Sequence, residues 1–183
     1  MTSSRVTEVE GVRINQIQSV SDNRGSFFKF HPGTDFKIQP DSIAFSFNPN
    51  TATLRGLHFQ VNPFAEEKLI TCIQGAVYDV IVDLRPSSMT FGKWASFELS
   101  GDNLFQLHLP KGVAHGFQTL EPNSIVQYCL STSYSPEYSY VINPYGDLNI
   151  SWPMETIHVS DKDKNGLTFP AAAQKYAESI ELR

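Results

Sequence analysis

The chain has 183 residues, of which 40% are hydrophobic and 18% charged, and its formal net charge is −5. This size and composition are typical of one globular domain, so we expect a single domain across residues 1–183. The negative charge argues against nucleic acid as a partner, although a local basic pocket still admits a small anionic ligand. The N-terminal segment lacks the apolar stretch of a signal peptide, and no apolar run is long enough to span a bilayer. We therefore expect a cytoplasmic protein that does not contact a membrane.

Short strands separated by turn residues predict an all-β protein. In residues 54–60 the alternation places His58 and Gln60 on one face, and the next strand begins at Lys68. Turn residues end each run, which favours a sandwich, jelly roll or barrel. Further segments with a period of two lie at 76–84, 105–109 and 125–130.

Helix is expected only in the tail. The segment that follows Pro170 is rich in Ala, and it predicts a short C-terminal helix that packs Tyr176 and Ile180. The two cysteines, Cys72 and Cys129, lie in apolar segments and are interpreted as buried thiols in a reducing compartment.

Lys68 stands out because it shares the apolar face of its strand with Ile70 and Cys72. A buried amine is unfavourable without a partner or a task, although a lysine at a strand end can also extend its amine to water. A histidine in a sheet can be a hydrogen-bonded core residue, and Tyr128 can be a core aromatic whose hydroxyl has a partner. None of these residues predicts a function by itself.

Two segments fit the halves of the cupin signature. Pro110-x-Gly112-x-x-His115 corresponds to the second half, and Gly56-x-His58-x-Gln60 stands where the first half begins. A metal-binding cupin needs a second histidine where Gln60 stands, and glutamine is a poor ligand for Zn²⁺ or Fe²⁺. His58, Glu67 and His115 would leave a marginal metal site. We therefore expect a cupin scaffold without a metal, and the absence of a dinucleotide fingerprint predicts no other cofactor.

A set of segments with a recognisable order runs along the chain: Asp22-x-Arg24-Gly25-x-Phe27-Phe28, Leu54-Arg55-Gly56-Leu57-His58-Phe59-Gln60, Lys68-Leu69, Tyr78-Asp79-Val80-Ile81-Val82-Asp83-Leu84-Arg85, Thr90-Phe91-Gly92-Lys93-Trp94, Pro110-x-Gly112-x-Ala114-His115-Gly116-Phe117, Tyr134-Ser135-Pro136, Trp152-Pro153 and Ser160-Asp161-Lys162-Asp163. With these segments, the chain resembles the dTDP-4-dehydrorhamnose 3,5-epimerase family from about residue 8 to residue 170. This resemblance implies an all-β cupin fold, a double-stranded β-helix or jelly roll, with short C-terminal helices.

The family's substrate is a nucleotide-linked 4-keto-6-deoxyhexose, in which the protons at C3 and C5 both lie next to the C4 ketone. Inversion needs a base on one face, an acid on the other and a cation at the ketone oxygen. The resemblance implies that His58 is the base and that Tyr128 is the acid. Lys68 would stabilise the enolate. Asp163 would orient His58, with Asp161 as the alternative two residues earlier.

The resemblance also implies a set of substrate-binding residues. Arg24 and Arg55 would hold phosphate oxygens, His115 would contact the sugar or the diphosphate, and Tyr134 would stack on the nucleotide base. The remaining substrate-binding candidates are Phe27, Lys29, Gln60 and Lys162.

Some recognition positions depart from the family pattern. The family usually has Glu where Lys29 stands, a Gln-x-Asn segment near Ser42 and Ala44, and Glu where Ser139 stands. The implied catalytic residues are intact, so the expected chemistry is retained. The nucleotide, dTDP or CDP, and the sugar stay open.

The sequence leaves three alternative functions open, and the resemblance implies one oligomeric state. The enzyme could invert only C3 or only C5, it could be a metal-dependent cupin, or it could be a non-catalytic sugar-binding cupin. A binding module has no need of a base, an acid and a cation together, which favours the enzyme. The resemblance further implies a homodimer in which N-terminal strands cross, so that Arg24 and Phe27 reach the neighbouring pocket.

Overall fold

The computed structural model describes residues 5–30 and 38–181. Within them, the chain forms fourteen strands and two α-helices, with one 3-10 turn at Pro136–Tyr138. The helices are α1 (Asp161–Lys164) and α2 (Phe169–Glu181). The strands are β1 (Arg5–Val6), β2 (Arg13–Gln16), β3 (Ser19–Asp22), β4 (Gly25–Phe28), β5 (Ser42–Asn48), β6 (Thr53–Gln60), β7 (Lys68–Gln74), β8 (Ala76–Asp83), β9 (Trp94–Ser100), β10 (Phe105–Leu109), β11 (Val113–Thr119), β12 (Ser124–Leu130), β13 (Ser139–Val141) and β14 (His158–Val159).

Two large sheets face each other, as the alternating sequence patterns predicted. The first sheet has the strand order β1-β2-β10-β7-β12-β5, and the second has the order β13-β6-β11-β8-β9. Strand β14 pairs with β6 in parallel, whereas the other strand pairs are antiparallel. The all-β jelly roll with short C-terminal helices is confirmed. Strands β3 and β4 form a separate hairpin that pairs with neither large sheet.

The main core lies between the two large sheets. Every second residue of the central strands points into it, because side chains alternate along a strand. These core residues include Ile70 and Cys72 of β7, Val77 and Ile81 of β8, Leu107 and Leu109 of β10, Val113 and Phe117 of β11, and Val126 of β12.

A second core covers the outer face of the second sheet. Val80 and Val82 of β8 pack there with Ala172 and Tyr176 of α2. Strand β8 is therefore buried on both faces, because it carries apolar side chains on both sides of the sheet. The predicted packing of Tyr176 is confirmed, since it is 5% exposed.

The predicted packing of Ile180 is wrong, because its side chain is 42% exposed. Ile180 lies one residue before the end of α2, where the buried stripe of the helix runs through Ser179 instead. None of the helices in the described ranges has the length and apolar character that crossing a bilayer requires.

Candidate active site

The two histidines of the cupin-like motifs face each other across neighbouring strands. His58 of β6 and His115 of β11 are direct partners in the antiparallel register. Gly56 lies two residues before His58 and Gly116 directly follows His115, and these glycines let the strands approach closely. A Cβ atom on Gly56 would lie 2.6 Å from the Gly116 Cα atom, and the Gly56 φ angle is +111°. The glycines of both motifs therefore bring the histidines together at one point of the jelly roll.

His58 forms a dyad with Asp163, as the sequence analysis proposed. The His58 Nε2 atom lies 2.9 Å from Asp163 Oδ1, and the Asp163 side chain is 6% exposed while that of His58 is 41% exposed. A carboxylate acceptor favours the tautomer in which Nε2 carries the proton and donates it. The Nδ1 atom is then left as the basic nitrogen.

Helix α1 positions the carboxylate of this dyad. Asp163 is the third residue of α1, and its backbone N–H donates to the side chain of the N-cap residue Ser160. The backbone N–H of Gly56 donates to Asp163 Oδ2 at 3.1 Å. These contacts place Asp163, and not Asp161, on His58. Burial acts to raise the pKa of Asp163, but hydrogen bonds from His58, Gly56 and Ser160 outweigh it and keep the pKa below its ordinary value.

A second histidine–carboxylate pair lies in the interior of the jelly roll. His115 Nε2 is 2.7 Å from Asp79 Oδ2, and the two side chains are 4% and 0% exposed. Burial raises the pKa of Asp79, while the charges of His115 and Lys68 oppose that shift. Asp79 had no role in the sequence analysis. The sequence does carry a sign of it, because Asp79 is a charged residue between Val77 and Ile81 on a strand face that is otherwise apolar.

Tyr128 lies on the same interior face. Its ring meets the His115 ring edge-on, with centroids 6.0 Å apart. Burial raises the pKa of the Tyr128 phenol above its ordinary value, and the nearby charge of Asp79 raises it further. The phenol therefore stays protonated at neutral pH and has a proton to donate.

Lys68 begins β7 beside these groups and is 7% exposed. Its Nζ atom donates a hydrogen bond of 3.4 Å to the backbone carbonyl of His58 and lies 3.2 Å from Glu66 Oε1. The buried amine that the strand pattern singled out thus has partners, and it points toward the histidine dyad. The structure brings His58, His115, Tyr128 and Lys68 together at one end of the interior.

His58 lines an open cavity of about 550 Å³, together with Arg55, Lys162 and Asp163. The Nε atom of Arg55 donates to Asn48 Oδ1 at 2.8 Å. Asn48 is buried and donates through Nδ2 to the carbonyls of Ser46 and Ser124. Two cationic side chains, one of them anchored, therefore line the same cavity as the dyad.

Gln60 has a different environment from the other proposed binding residues. Its side chain donates to the carbonyls of Phe64 and Ser133 and accepts the backbone N–H of Ser135 at 2.8 Å. The amide thus fixes the loop that carries Tyr134, whose side chain is 62% exposed. This geometry supports an indirect role for Gln60, through the loop, in place of direct contact with a ligand.

The proposed binding residues of the N-terminal region lie apart from this site. Arg24 is in the β3–β4 turn and pairs with Asp22 at 2.6 Å, with its side chain 86% exposed. Phe27 is 63% exposed, and the Lys29 amine lies over its ring at 5.8 Å. Within the described residues, no contact joins these three side chains to the His58 dyad.

The metal-site alternative is not supported by the geometry. Glu67, the acidic residue it requires, bonds through Oε2 to His108 Nε2 at 3.1 Å instead of facing His58 and His115. Within the part of the chain that the structure describes, no three His, Cys, Asp or Glu side chains are grouped as metal ligands.

Comparison with known proteins identifies the family. The family model described as dTDP-4-dehydrorhamnose 3,5-epimerase matches residues 6–170. This chain belongs to that family. The enzyme of that name from Shigella flexneri is 37% identical over 172 residues, which cover 89% of this chain and 93% of the relative. The Sinorhizobium fredii enzyme is 44% identical over 123 residues, or 66% of this chain and 63% of the relative. The protein is therefore an epimerase, an enzyme of the isomerase class.

Solved structures of the family share the fold. The Bacillus anthracis dTDP-4-dehydrorhamnose 3,5-epimerase, crystallised with TDP and PPi bound, superposes with a TM-score of 0.87 at 36% identity over 92% of this chain and 99% of that chain. A 3'-monoepimerase from Streptomyces bikiniensis, in complex with dTDP-quinovose, has a TM-score of 0.83 at 27% identity, covering 96% of this chain and 90% of that chain. Epimerases of more than one positional scope thus share this jelly roll.

Proposed function

We propose that this protein epimerises a nucleotide-linked 4-keto-6-deoxyhexose in deoxysugar biosynthesis, with inversion at C3, C5 or both. The observation that carries the proposal is the His58–Asp163 dyad at 2.9 Å, which lines an open cavity. The Lys68 amine donates to the His58 carbonyl, and the protonated Tyr128 phenol belongs to a ring that contacts His115. A base, an acid and a cation at one point form the set that proton transfer next to a ketone requires.

Each catalytic group has one task in this proposal. His58, held by Asp163, takes the proton from the carbon next to the ketone. The Lys68 ammonium stabilises the negative charge that then develops on the ketone oxygen. Tyr128 returns a proton to the opposite face of the same carbon, and His115 helps to hold the sugar beside it.

The substrate is proposed to carry its diphosphate near Arg55 and Lys162, with Tyr134 on the nucleotide base. Bound TDP in the Bacillus anthracis enzyme and dTDP-quinovose in the Streptomyces bikiniensis enzyme support a dTDP sugar. The departures at Lys29, Ser42, Ala44 and Ser139 are the reason to test a CDP sugar beside it.

The test follows the H3 and H5 signals of dTDP-4-keto-6-deoxyglucose by proton NMR in deuterium oxide, with the CDP analogue in parallel. Loss of a signal identifies proton exchange at that centre, and the configuration of the product sugar, followed in the same spectra, shows whether C3, C5 or both are inverted. If neither sugar exchanges either proton at enzyme concentrations close to the substrate concentration, the proposal is contradicted.

Asn48→Ala is expected to weaken substrate binding without slowing proton transfer. The change removes the acceptor that anchors Arg55, and a hydrogen bond to a charged group contributes roughly 1.5–3 kcal/mol, which corresponds to a Kd about tenfold higher or more. Calorimetry with dTDP measures the Kd. The matched control is Asn50→Ala, which removes an exposed amide two residues further on. An unchanged Kd in a folded Asn48→Ala protein would contradict the anchoring role.

We further propose that the chain acts as a homodimer in which Arg24 and Phe27 reach the partner's site. Among the strands that the structure describes, β5 is an unpaired edge of the first sheet, and its Ile43, Phe45 and Phe47 side chains are 51–67% exposed. A long apolar edge is normally covered, and a second copy would cover it. Light scattering should give twice the chain mass of 20.5 kDa. Phe45→Glu should shift the mass toward one chain, and a wild-type monomer would oppose the proposal.

Three further proposals concern the domain organisation, the cellular location and the cofactor requirement of the chain. The family match over residues 6–170 supports one domain across residues 1–183. The two buried, unpaired cysteines, Cys72 and Cys129, support the proposed cytoplasmic location. The proposed proton transfers use side chains of this chain alone and call for no cofactor.

A further inference from the structure

Glu66 and Glu67 are adjacent in sequence but face opposite sides of the first sheet. Glu66 lies 3.2 Å from the Lys68 ammonium, and both side chains are 9% exposed. Glu67 bonds to His108, whose neighbours Leu107 and Leu109 point into the core, so that His108 and Glu67 lie on the outside. Of these two glutamates, only Glu66 places its carboxylate beside Lys68.

The nearly buried ammonium of Lys68 has a carboxylate as its resident counter-ion. Isolated charges are unfavourable away from water, and an opposite charge at this distance compensates them. The hydrogen bond to the His58 carbonyl holds the ammonium from a second direction. Glu66 and the His58 carbonyl thus hold the Lys68 amine in place.

The same carboxylate opposes the reaction step that Lys68 is proposed to assist. An enolate oxygen in contact with the ammonium would lie within several ångströms of Glu66, and like charges at that separation repel each other. The neutral ketone of the bound substrate experiences little of this repulsion. The penalty therefore falls on the transition state and not on binding.

We propose that Glu66 is a positioning residue for Lys68 whose charge holds the ammonium in the empty enzyme and limits how strongly the enolate is stabilised. This inference rests on the proposed function, because it assumes that Lys68 faces the ketone oxygen. It assigns a role to a residue that neither the sequence motifs nor the proposed proton transfers used.

The experiment compares Glu66→Gln with Glu67→Gln. Both variants make the same chemical change and the same change in net charge, one residue apart. Glu66→Gln keeps the size of the side chain and is expected to raise kcat for proton exchange about tenfold, with KM changed by less than about threefold. Its Tm should fall, because the ammonium loses its counter-ion. Glu67→Gln should leave kcat unchanged.

Two further variants test whether the acceleration comes from the loss of the carboxylate beside Lys68. Glu66→Ser, which leaves room for water beside the ammonium, should also accelerate exchange, and it replaces Glu66→Gln if that protein does not fold. In a Lys68→Met background, the acceleration by Glu66→Gln should disappear. If proton exchange is unchanged or slower in both folded Glu66 variants, the proposed role of Glu66 is overturned while the proposed function stands. A wild-type protein without any exchange overturns the proposed function itself, and this inference with it.

Discussion

Tyr128→Phe is expected to abolish inversion while proton exchange at the same carbon continues. The variant retains the base, so His58 still removes the proton and Lys68 still stabilises the enolate. Without the phenol, the enolate regains its proton from His58 on the original face. Loss of a positioned acid lowers the rate by about 10²–10⁴-fold, so inversion should fall by that factor. Proton NMR in deuterium oxide measures exchange and configuration in one sample.

The matched control for this change is Tyr140→Phe. Tyr140 stacks on Phe59, with ring centroids 5.8 Å apart, and belongs to the second core outside the jelly-roll interior. Its hydroxyl has no task in the proposed reaction, so inversion should proceed at the wild-type rate. Wild-type inversion by Tyr128→Phe would show that another group is the acid.

Asp163→Asn is expected to lower proton exchange by about 10³-fold or more. An amide in this position has a donor where the carboxylate had only acceptors, and it can hold the His58 ring in the wrong tautomer. The amide also lacks the charge that stabilises the imidazolium formed after proton abstraction. Exchange rates measured under saturating substrate report this loss directly.

Asp161→Asn is the control for the dyad. Asp161 is the first residue of the same helix and is exposed, and its change alters the net charge by the same amount. Exchange should stay within about threefold of the wild type, since a surface substitution away from the site has little effect. If the two variants lost activity equally, the helix and not the dyad would be responsible.

The sequence predicted the residues whose position in a strand is legible from local spacing. Spacing and motifs singled out His58, Lys68, His115 and Tyr128, whereas their proposed roles came from the resemblance to the family. The contact between His58 and Asp163 could not be derived from spacing, since it joins β6 to a helix 105 residues later. The resemblance to a family left two aspartates open, and the capped geometry of α1 places Asp163 on the histidine.

The residues that the sequence did not reveal depend on strand pairing. Asp79 meets His115 only because β8 and β11 are neighbours, and Asn48 meets Arg55 across the ends of β5 and β6. Glu66 and Glu67 look alike in the sequence, and only the structure shows which one turns toward Lys68. Ile180 was misjudged because the sequence does not show that the buried stripe of α2 runs through its neighbour Ser179.

The most direct test of the central claim counts the deuterium atoms that the enzyme incorporates. The wild type and His58→Asn are incubated with dTDP-4-keto-6-deoxyglucose in deuterium oxide, and the sugar nucleotide is analysed by mass spectrometry. If His58 is the base next to the ketone, the wild type adds one deuterium for each exchanged centre, and His58→Asn adds none above the enzyme-free background. Incorporation by a folded His58→Asn protein at the wild-type rate would contradict the assignment of the base and with it the proposed mechanism.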